Sequence, residues 1–420
     1  MDFSLVLPVL VTAVGLYLLI RLRFFFIIHP IRTLKEFIGG LDDREARRSF
    51  FLALAGTLGV GNIFGVSAGI MIGGAGSLFW LFISSFFAMI IKYAETLLVF
   101  DGNIERGGMS ALLGKVFGKA GKIISPTYAF FMLLLAFFMG SAMQSGALVD
   151  VAEQTLSIHP IITIFILVIL LIPCLAGGTR KIENITEIVI PLTTIIYILM
   201  CLIVIFKNLS RIPCVINLII SSAFNFKSVI GGGISFLAVR EGFARGILSN
   251  EAGVGTSAMA HSRSKGRSPH VAGLFAMCEV IFDSTLLCML TGIAILLAVP
   301  DISAFSTPMS LVSAAINSAI GDFSIVLLPL VILAFAYATI ICWYFYGREC
   351  ASLYFPIIKK LYPYIFISFV LSSRLISSEF LLYVIDILLL FMSVMTLSAI
   401  IKKTPRISEI CRLSRKKNPE

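Results

Sequence analysis

Charge is what this sequence has least of. Asp, Glu, Lys and Arg supply 13% of its 420 residues, where a soluble globular protein carries about 25%. With 58% hydrophobic residues and a mean hydropathy of +1.01, the composition excludes an ordinary soluble domain and points to a polytopic membrane protein. Paired cysteines are also missing. The eight cysteines, among them Cys174, Cys201, Cys278 and Cys342, are scattered and mostly within apolar blocks, with no C-x-x-C. Neither a disulfide framework nor a zinc site is indicated, and they read as small core residues. There is no H-E-x-x-H, and Glu251, His261 and His270 have no helical ligand spacing, which argues against a membrane-embedded metalloenzyme. Both histidines fall in or beside a basic loop, where solvated side chains are expected. Nothing resembles a selectivity-filter loop, which argues against a channel. Met1-Asp2 lacks a basic n-region and the arginines follow the first apolar run, so the start reads as a retained anchor helix rather than a cleaved signal.

What is present is a succession of apolar blocks separated by short polar loops. A membrane helix needs roughly 20 apolar residues. On that criterion spans are predicted near 3–20, 48–71, 77–99, 124–149, 160–176, 188–206, 229–248, 270–298, 324–347, 362–377 and 380–401, eleven in all. The net charge of +10 is distributed by loop. Alternate connections carry 26 Lys and Arg, and the opposite set only four: Lys207, Arg211, Lys227 and Arg374. The positive-inside rule then puts the N-terminus outside and the C-terminus in the cytoplasm of a cell-membrane protein. The basic charge belongs to topology, and no nucleic-acid partner is implied. The tail, 402–420, reads as a solvated cytoplasmic segment near anionic lipid.

Setting the anchor helix aside leaves ten helices. The chain is read as one transmembrane domain: anchor and basic loop 1–47, a five-helix set 48–206, a second 207–401, and the tail. An odd number per set makes the second start from the opposite side, an inverted repeat by topology. The first helix of each set has an unusual interior. "GTLGVGNIFGVSAGIMIGGAG", 56–76, holds eight glycines, and "VREGFARGILSNEAGVGTSAMAHS", 239–262, mixes charge with glycine. Transporters with inverted repeats place broken helices at such corresponding positions. Freed amides at a half-helix N-terminus suit a carboxylate and freed carbonyls suit a cation. Gly59-Val60-Gly61-Asn62 is the predicted break. The alternative is a small-residue packing face, for which Gly61, Gly65 and Gly69 have the spacing.

At these residues the sequence resembles the alanine/glycine:cation symporter family, the sodium:alanine symporters. The similarity runs from Gly56 to Trp80 and through "RxGxxRGxxSNEAGxG" from Arg240 to Gly255. It continues at Lys92–Glu95, Met143–Ser145, Phe282-Asp283 and Phe335–Gly347, in family order along the whole chain. The resemblance implies an all-α, LeuT-type five-plus-five fold with one extra N-terminal helix. It also implies uptake of a small neutral amino acid, alanine or glycine, with sodium as co-substrate, in some members protons, and no other cofactor.

For the substrate the expected residues are the amides at Val60, Gly61 and Asn62, Gln144, acceptors exposed near Gly242, and Thr339 with Trp343 one turn on. A lone Gln in a span also serves as interhelical glue, and Trp343 also fits a core aromatic. For sodium the resemblance implies the carbonyls of Ala55 and Leu58 with the Thr339 hydroxyl. Relatives usually carry two adjacent hydroxyls where this chain has Ala338-Thr339. Asp283 is expected either on the cation path or as a structural partner of Arg240 or Arg245. Glu241, Arg245, Glu251 and the Lys92/Glu95 pair are gate candidates. Arg245, Glu251, Lys92 and Glu95 are expected toward cytoplasmic helix ends, with Lys92 and Glu95 explained equally by snorkelling and local pairing. Departures at Val60, Ser141 and Glu241 leave the substrate open; a cavity-facing Glu241 would suit a cationic one. A transporter with a changed substrate or proton coupling, or an amino-acid-gated channel or sensor, is the alternative.

Overall fold

The apolar blocks are helices in the computed structural model, which describes residues 6–224, 234–264 and 267–417. Lys227, Lys265 and the expected first residues of the seventh span, 229–233, lie outside these, as do Met1 and Asp2. No strand occurs among the described residues. The helices are α1 Val6–Arg21, α2 Pro30–Gly40, α3 Arg44–Thr57, α4 Gly61–Gly73, α5 Gly76–Asp101, α6 Gly108–Phe117, α7 Gly121–Leu156, α8 Pro160–Ala176 and α9 Gly178–Lys207. There follow α10 Leu209–Ala223, α11 Ile234–Asn250, α12 Thr256–His261, α13 Pro269–Ala298, α14 Pro308–Ile320, α15 Phe323–Tyr354, α16 Pro356–Leu371 and α17 Ser378–Lys417.

Six of these, α5, α7, α9, α13, α15 and α17, are each long and apolar enough to cross a bilayer, and α3 with α4 makes a seventh span bent by 50°. The shorter α1, α8, α11 and α16 take the remaining expected places. Local signals set the starts. Asp43 caps α3 by accepting from the Glu45 amide at 2.9 Å, and Thr307 caps α14 before Pro308, the usual pairing of a cap with proline in the first turn. The outer faces are apolar, as lipid requires: Ile161, Phe165, Ile169 and Ile172 of α8 are exposed at helical spacing. Four helices of ten residues or more, α2, α6, α10 and α14, stand where only loops were expected.

The tail also differs from expectation. Rather than a solvated arm it continues α17 as helix to Lys417. Lys402 donates to the Val116 carbonyl at 2.9 Å, Arg406 pairs with Asp101 at 2.7 Å, and Arg32 donates to the Ser414 carbonyl at 3.2 Å.

α5 runs between α11 and α13, and α1 lies against α5 and α17. The two helices expected to open the five-helix sets are both broken. α3 ends where Leu58 leaves the helical region (φ −76°, ψ 68°), and α4 resumes at Gly61. In the second set the break is at 251–255, with φ +55° at Glu251 and +90° at both Gly253 and Gly255. Glycine makes that turn cheap, whereas Glu251 holds a left-handed conformation that costs about 1–2 kcal/mol. Three stretches widen to π-helix, Gly61–Gly65, Ala136–Met143 and Ile281–Cys288, a distortion that is frequent at functional sites.

Candidate functional site

The three widened stretches bring Asn62, Gln144 and Asp283 to one buried region. After Leu58 the Gly59 amide turns back to the Thr57 carbonyl at 2.8 Å and the Asn62 amide reaches the Gly59 carbonyl at 3.3 Å, and the buried Val60 amide needs an acceptor of its own. Gln144 supplies one: its Oε1 accepts from the Val60 amide at 3.3 Å. A side chain at 59 has no room, since a Cβ would lie 3.0 Å from Gln144 Oε1 and 3.1 Å from Thr339 Oγ1. Beside Gly61 the space is open, with nothing within 4 Å of where a Cβ would stand.

α15 closes this region from the other side. Thr339 Oγ1 donates to the Phe335 carbonyl at 2.9 Å and lies 3.4 Å from the Leu58 carbonyl. Ala55 is fully buried on the last turn of α3, and Ala338 is buried beside Thr339. One turn on, Trp343 is fully buried, donates Nε1–H to the Gly56 carbonyl at 3.3 Å and meets the Tyr346 ring at 5.5 Å. Gly140 makes room for it: a Cβ there would fall 2.1 Å from the Trp343 Cβ.

Asp283 is the charged centre. Its carboxylate accepts from Asn62 Nδ2, from Ser249 Oγ at 2.9 Å and from Ser284 Oγ at 2.7 Å, and Asn250 donates to Ser284 at 3.1 Å. Asn62 Oδ1 is buried without a partner. Carbonyl, carboxylate and hydroxyl oxygens are the donors a hard cation takes. Ser249, Asn250 and Ser284 were missed from sequence. Their signal was present, since Ser249-Asn250 stands immediately before the second break.

Several expectations are overturned. Asp283 is not a partner of Arg240 or Arg245. Both arginines pair with Glu241, at 2.9 and 3.0 Å. Glu241 therefore does not present a free charge to the central region; it lines a separate cavity of about 310 Å³ with Leu7, Leu382 and Asp386. Arg245 lies at the Gly76 end of α5 and packs its stem 3.3 Å from a Cβ at Gly69, so it does not stand at the end expected. Gly242 exposes no acceptors. It sits inside the unbroken α11, and a Cβ there would meet the Ser77 carbonyl at 2.5 Å and Trp80 Cβ at 2.6 Å. It is a contact glycine, and the break comes nine residues later. Lys92 neither snorkels nor pairs locally: it is fully buried and bridges Glu279 at 3.1 Å and Ser257 at 2.8 Å. Glu95 accepts from the Gly253 amide at 2.7 Å, and Glu251 from Thr256 at 2.7 Å, each with its other oxygen buried and unpartnered. His261 and His270 are buried as well.

The family model of the sodium:alanine symporter family matches residues 1–417. The sodium/alanine symporter AgcS of Methanococcus maripaludis is 31% identical over 360 residues, covering 81% of this chain and 79% of that protein. The probable sodium/glutamine symporter GlnT of Bacillus subtilis is 28% identical over 364 residues, covering 82% and 74%. Among solved structures, a Na+-coupled sialic acid symporter in a substrate-bound outward-open state aligns with a TM-score of 0.52 at 12% identity, over 95% of this chain and 82% of that one. At that identity the likeness is one of fold.

Proposed function

Starting from the fact that the chain belongs to the sodium:alanine symporter family, a family of multi-pass membrane transporters, we propose that it takes up a small neutral amino acid, alanine or glycine, by sodium-coupled alternating access. The observation that carries this reading is the break itself: the Val60 amide held by the Gln144 side chain, open space beside Gly61, and Asn62 bonded to Asp283. The substrate carboxylate takes the amides of Val60, Gly61 and Asn62, displacing the Gly59 carbonyl from Asn62 and the Gln144 carbonyl from Val60; the Gln144 carbonyl then accepts from the ammonium group. The crowding around Gly59 and the fixed Trp343 favour a short side chain.

Sodium is held by the Ala55 and Leu58 carbonyls with Thr339 Oγ1. The loss of a hydroxyl at Ala338 is offset by a second oxygen-rich place, Asn62 Oδ1 with the Asp283 carboxylate, which puts Asp283 on the cation path. The N-terminus lies outside and the basic loops and C-terminus lie in the cytoplasm, on the charge asymmetry of the loops. In this orientation the Arg240, Glu241 and Arg245 group is on the outer side, with Glu251 at the inner break. A larger neutral substrate is the second reading, favoured by the open side of Gly61 and by a relative named for glutamine.

The test is radiolabelled alanine uptake into proteoliposomes under an inward sodium gradient, then under a proton gradient. Sodium-driven accumulation supports the reading. Proton-driven uptake alone moves the coupling to Asp283. No uptake from folded protein turns the search to glutamine and other neutral amino acids.

A further inference from the structure

Outside the central region the most charged buried place is the meeting of α3, α5, α12 and α13. His261 is fully buried, with Nε2 2.5 Å from Glu279 Oε1 and Nδ1 3.2 Å from Ser49 Oγ. Glu279 Oε2 is taken by Lys92 and Ser257. Ser49 Oγ also lies 2.9 Å from the Ala46 carbonyl and receives Arg267 Nη2 at 3.1 Å. Ser49 lines a vestibule of about 580 Å³ between α3, α9 and the loop after α12, with Arg48, Glu183, Arg263 and Ser264. A hydrogen-bonded chain therefore leads from that vestibule to a buried imidazole and carboxylate.

The partners of Ser49 are what make the chain informative. Its single hydroxyl hydrogen has two acceptors, His261 Nδ1 and the Ala46 carbonyl. With neutral His261, Ser49 donates to Nδ1 and the imidazole donates Nε2–H to Glu279. When a proton arrives at Nδ1, the imidazolium donates to Ser49 Oγ and the hydroxyl hydrogen turns to Ala46. Ser49, His261 and Glu279 keep their side-chain hydrogen bonds in both states, as buried groups require. The groups facing His261 come from every packed element: Ser49 from α3, Lys92 from α5, Glu279 from α13 and Arg267 from the following loop. Glu95 and Glu251 lie behind Lys92. The added charge meets one acid and two cations.

The bridge also joins the two broken helices. Ser49 is on α3 and His261 on α12, the half-helix that leads into the loop lining the vestibule, whereas Lys92 and Glu279 belong to unbroken spans. We propose that His261 is a proton-binding site, loaded from this vestibule through Ser49, whose occupancy holds the α3 and α12 halves together against α5 and α13. The proton strengthens both imidazole hydrogen bonds by making them charge-assisted. Acid on the vestibule side therefore favours closure there and alkali favours opening. The inference rests on reading the chain as an alternating-access carrier, and it holds whichever cation drives uptake.

The full chain in liposomes, with equal pH inside and out, tests it in two arms. The first arm is the initial rate of sodium-driven alanine uptake from pH 5 to 8, each protein normalised to its own maximum. The rate is expected to rise ~3-fold or more with His261 and less than ~1.5-fold in His261→Gln, because glutamine keeps the neutral state's bonds without taking the proton. The second arm is labelling of Ser264→Cys by an impermeant maleimide, read by mass spectrometry in both backgrounds. The pH dependence of labelling is expected to be steeper with His261 than with His261→Gln. Ser49→Ala, which keeps the imidazole and removes the loading hydroxyl, is expected to shift the profile and serves if His261→Gln fails to fold. Equal pH responses with and without the imidazole overturn the proposal. No uptake together with His261-dependent labelling overturns the substrate reading and upholds the proton site.

Discussion

Asn62 gives an amide hydrogen to Asp283 while its own carbonyl oxygen stays buried and unpartnered. The two residues come from α4 and α13, one in each of the two expected five-helix sets, so a cation held between them would join those sets. Asp283→Asn should lower sodium-driven alanine uptake by about 10- to 100-fold, the range set by a charged hydrogen bond of about 1.5–3 kcal/mol, and should raise the sodium needed for half-maximal rate. Uptake rates measured across sodium concentrations decide it. An unchanged sodium dependence removes Asp283 from the cation path.

Gln144 occupies the amide that the substrate carboxylate is proposed to take. Gln144→Ala should raise the alanine KM about 10-fold, as losing one hydrogen-bonding partner worth about 1 kcal/mol or slightly more implies. The melting temperature in detergent should change little. A variant that melts far lower with an unaltered KM would identify Gln144 as interhelical glue.

Gly242 now carries a different expectation from Val60 or Gly61. Gly242→Ala drives a methyl into Ser77 and Trp80, an overpacking that costs about 1–3 kcal/mol. Folded yield and melting temperature should fall, while the protein that survives keeps its alanine affinity. A stable variant with weakened affinity would return Gly242 to the binding region.

Outside the spans, α2 is docked through Glu36. The hydrogen bond with His270 foremost, helped by Arg32 at 3.0 Å, holds the Glu36 carboxyl down to about 2 from an ordinary 4.5. A lowered acid stabilises the fold fully above its unfolded value and loses that contribution as pH falls through the folded one. Glu36→Gln should therefore melt below the unaltered protein at neutral pH, and the gap should close as pH drops from 4.5 toward 2. Thermal melts across that window, with a parallel gap at every pH, would show that Glu36 contributes by packing alone.

Long apolar runs made the spans legible, because length against bilayer thickness is a one-dimensional property. The helices α2, α6, α10 and α14 were not legible, being short or only one-sided in their apolar character. Glycine was ambiguous by nature. It marks the break at Gly59 and a helix contact at Gly242, and only the opposing surface distinguishes the two. Asp283 stood out as an acid in a span, yet Ser249 and Asn62 reach it across 34 and 221 residues of chain. The partner of Lys92 is 187 residues away, so the nearer Glu95 attracted the pairing. Burial of His261 and His270 depends on α3, α5 and α13 closing around them, which no loop composition reveals.

The uninterrupted α17 has a mechanical consequence. Forty residues at 1.5 Å each make a rod of about 60 Å, with one end beside α1 and the other clamped to the ends of α5, α6 and α2. Neither broken helix has such reach or such anchorage. Under the alternating-access reading proposed above, the rod and its clamps are the stator, and the half-helices α3, α4, α11 and α12 are the parts that turn against it. A factor that gripped the basic end of α17 would act on the bearing rather than on the gate.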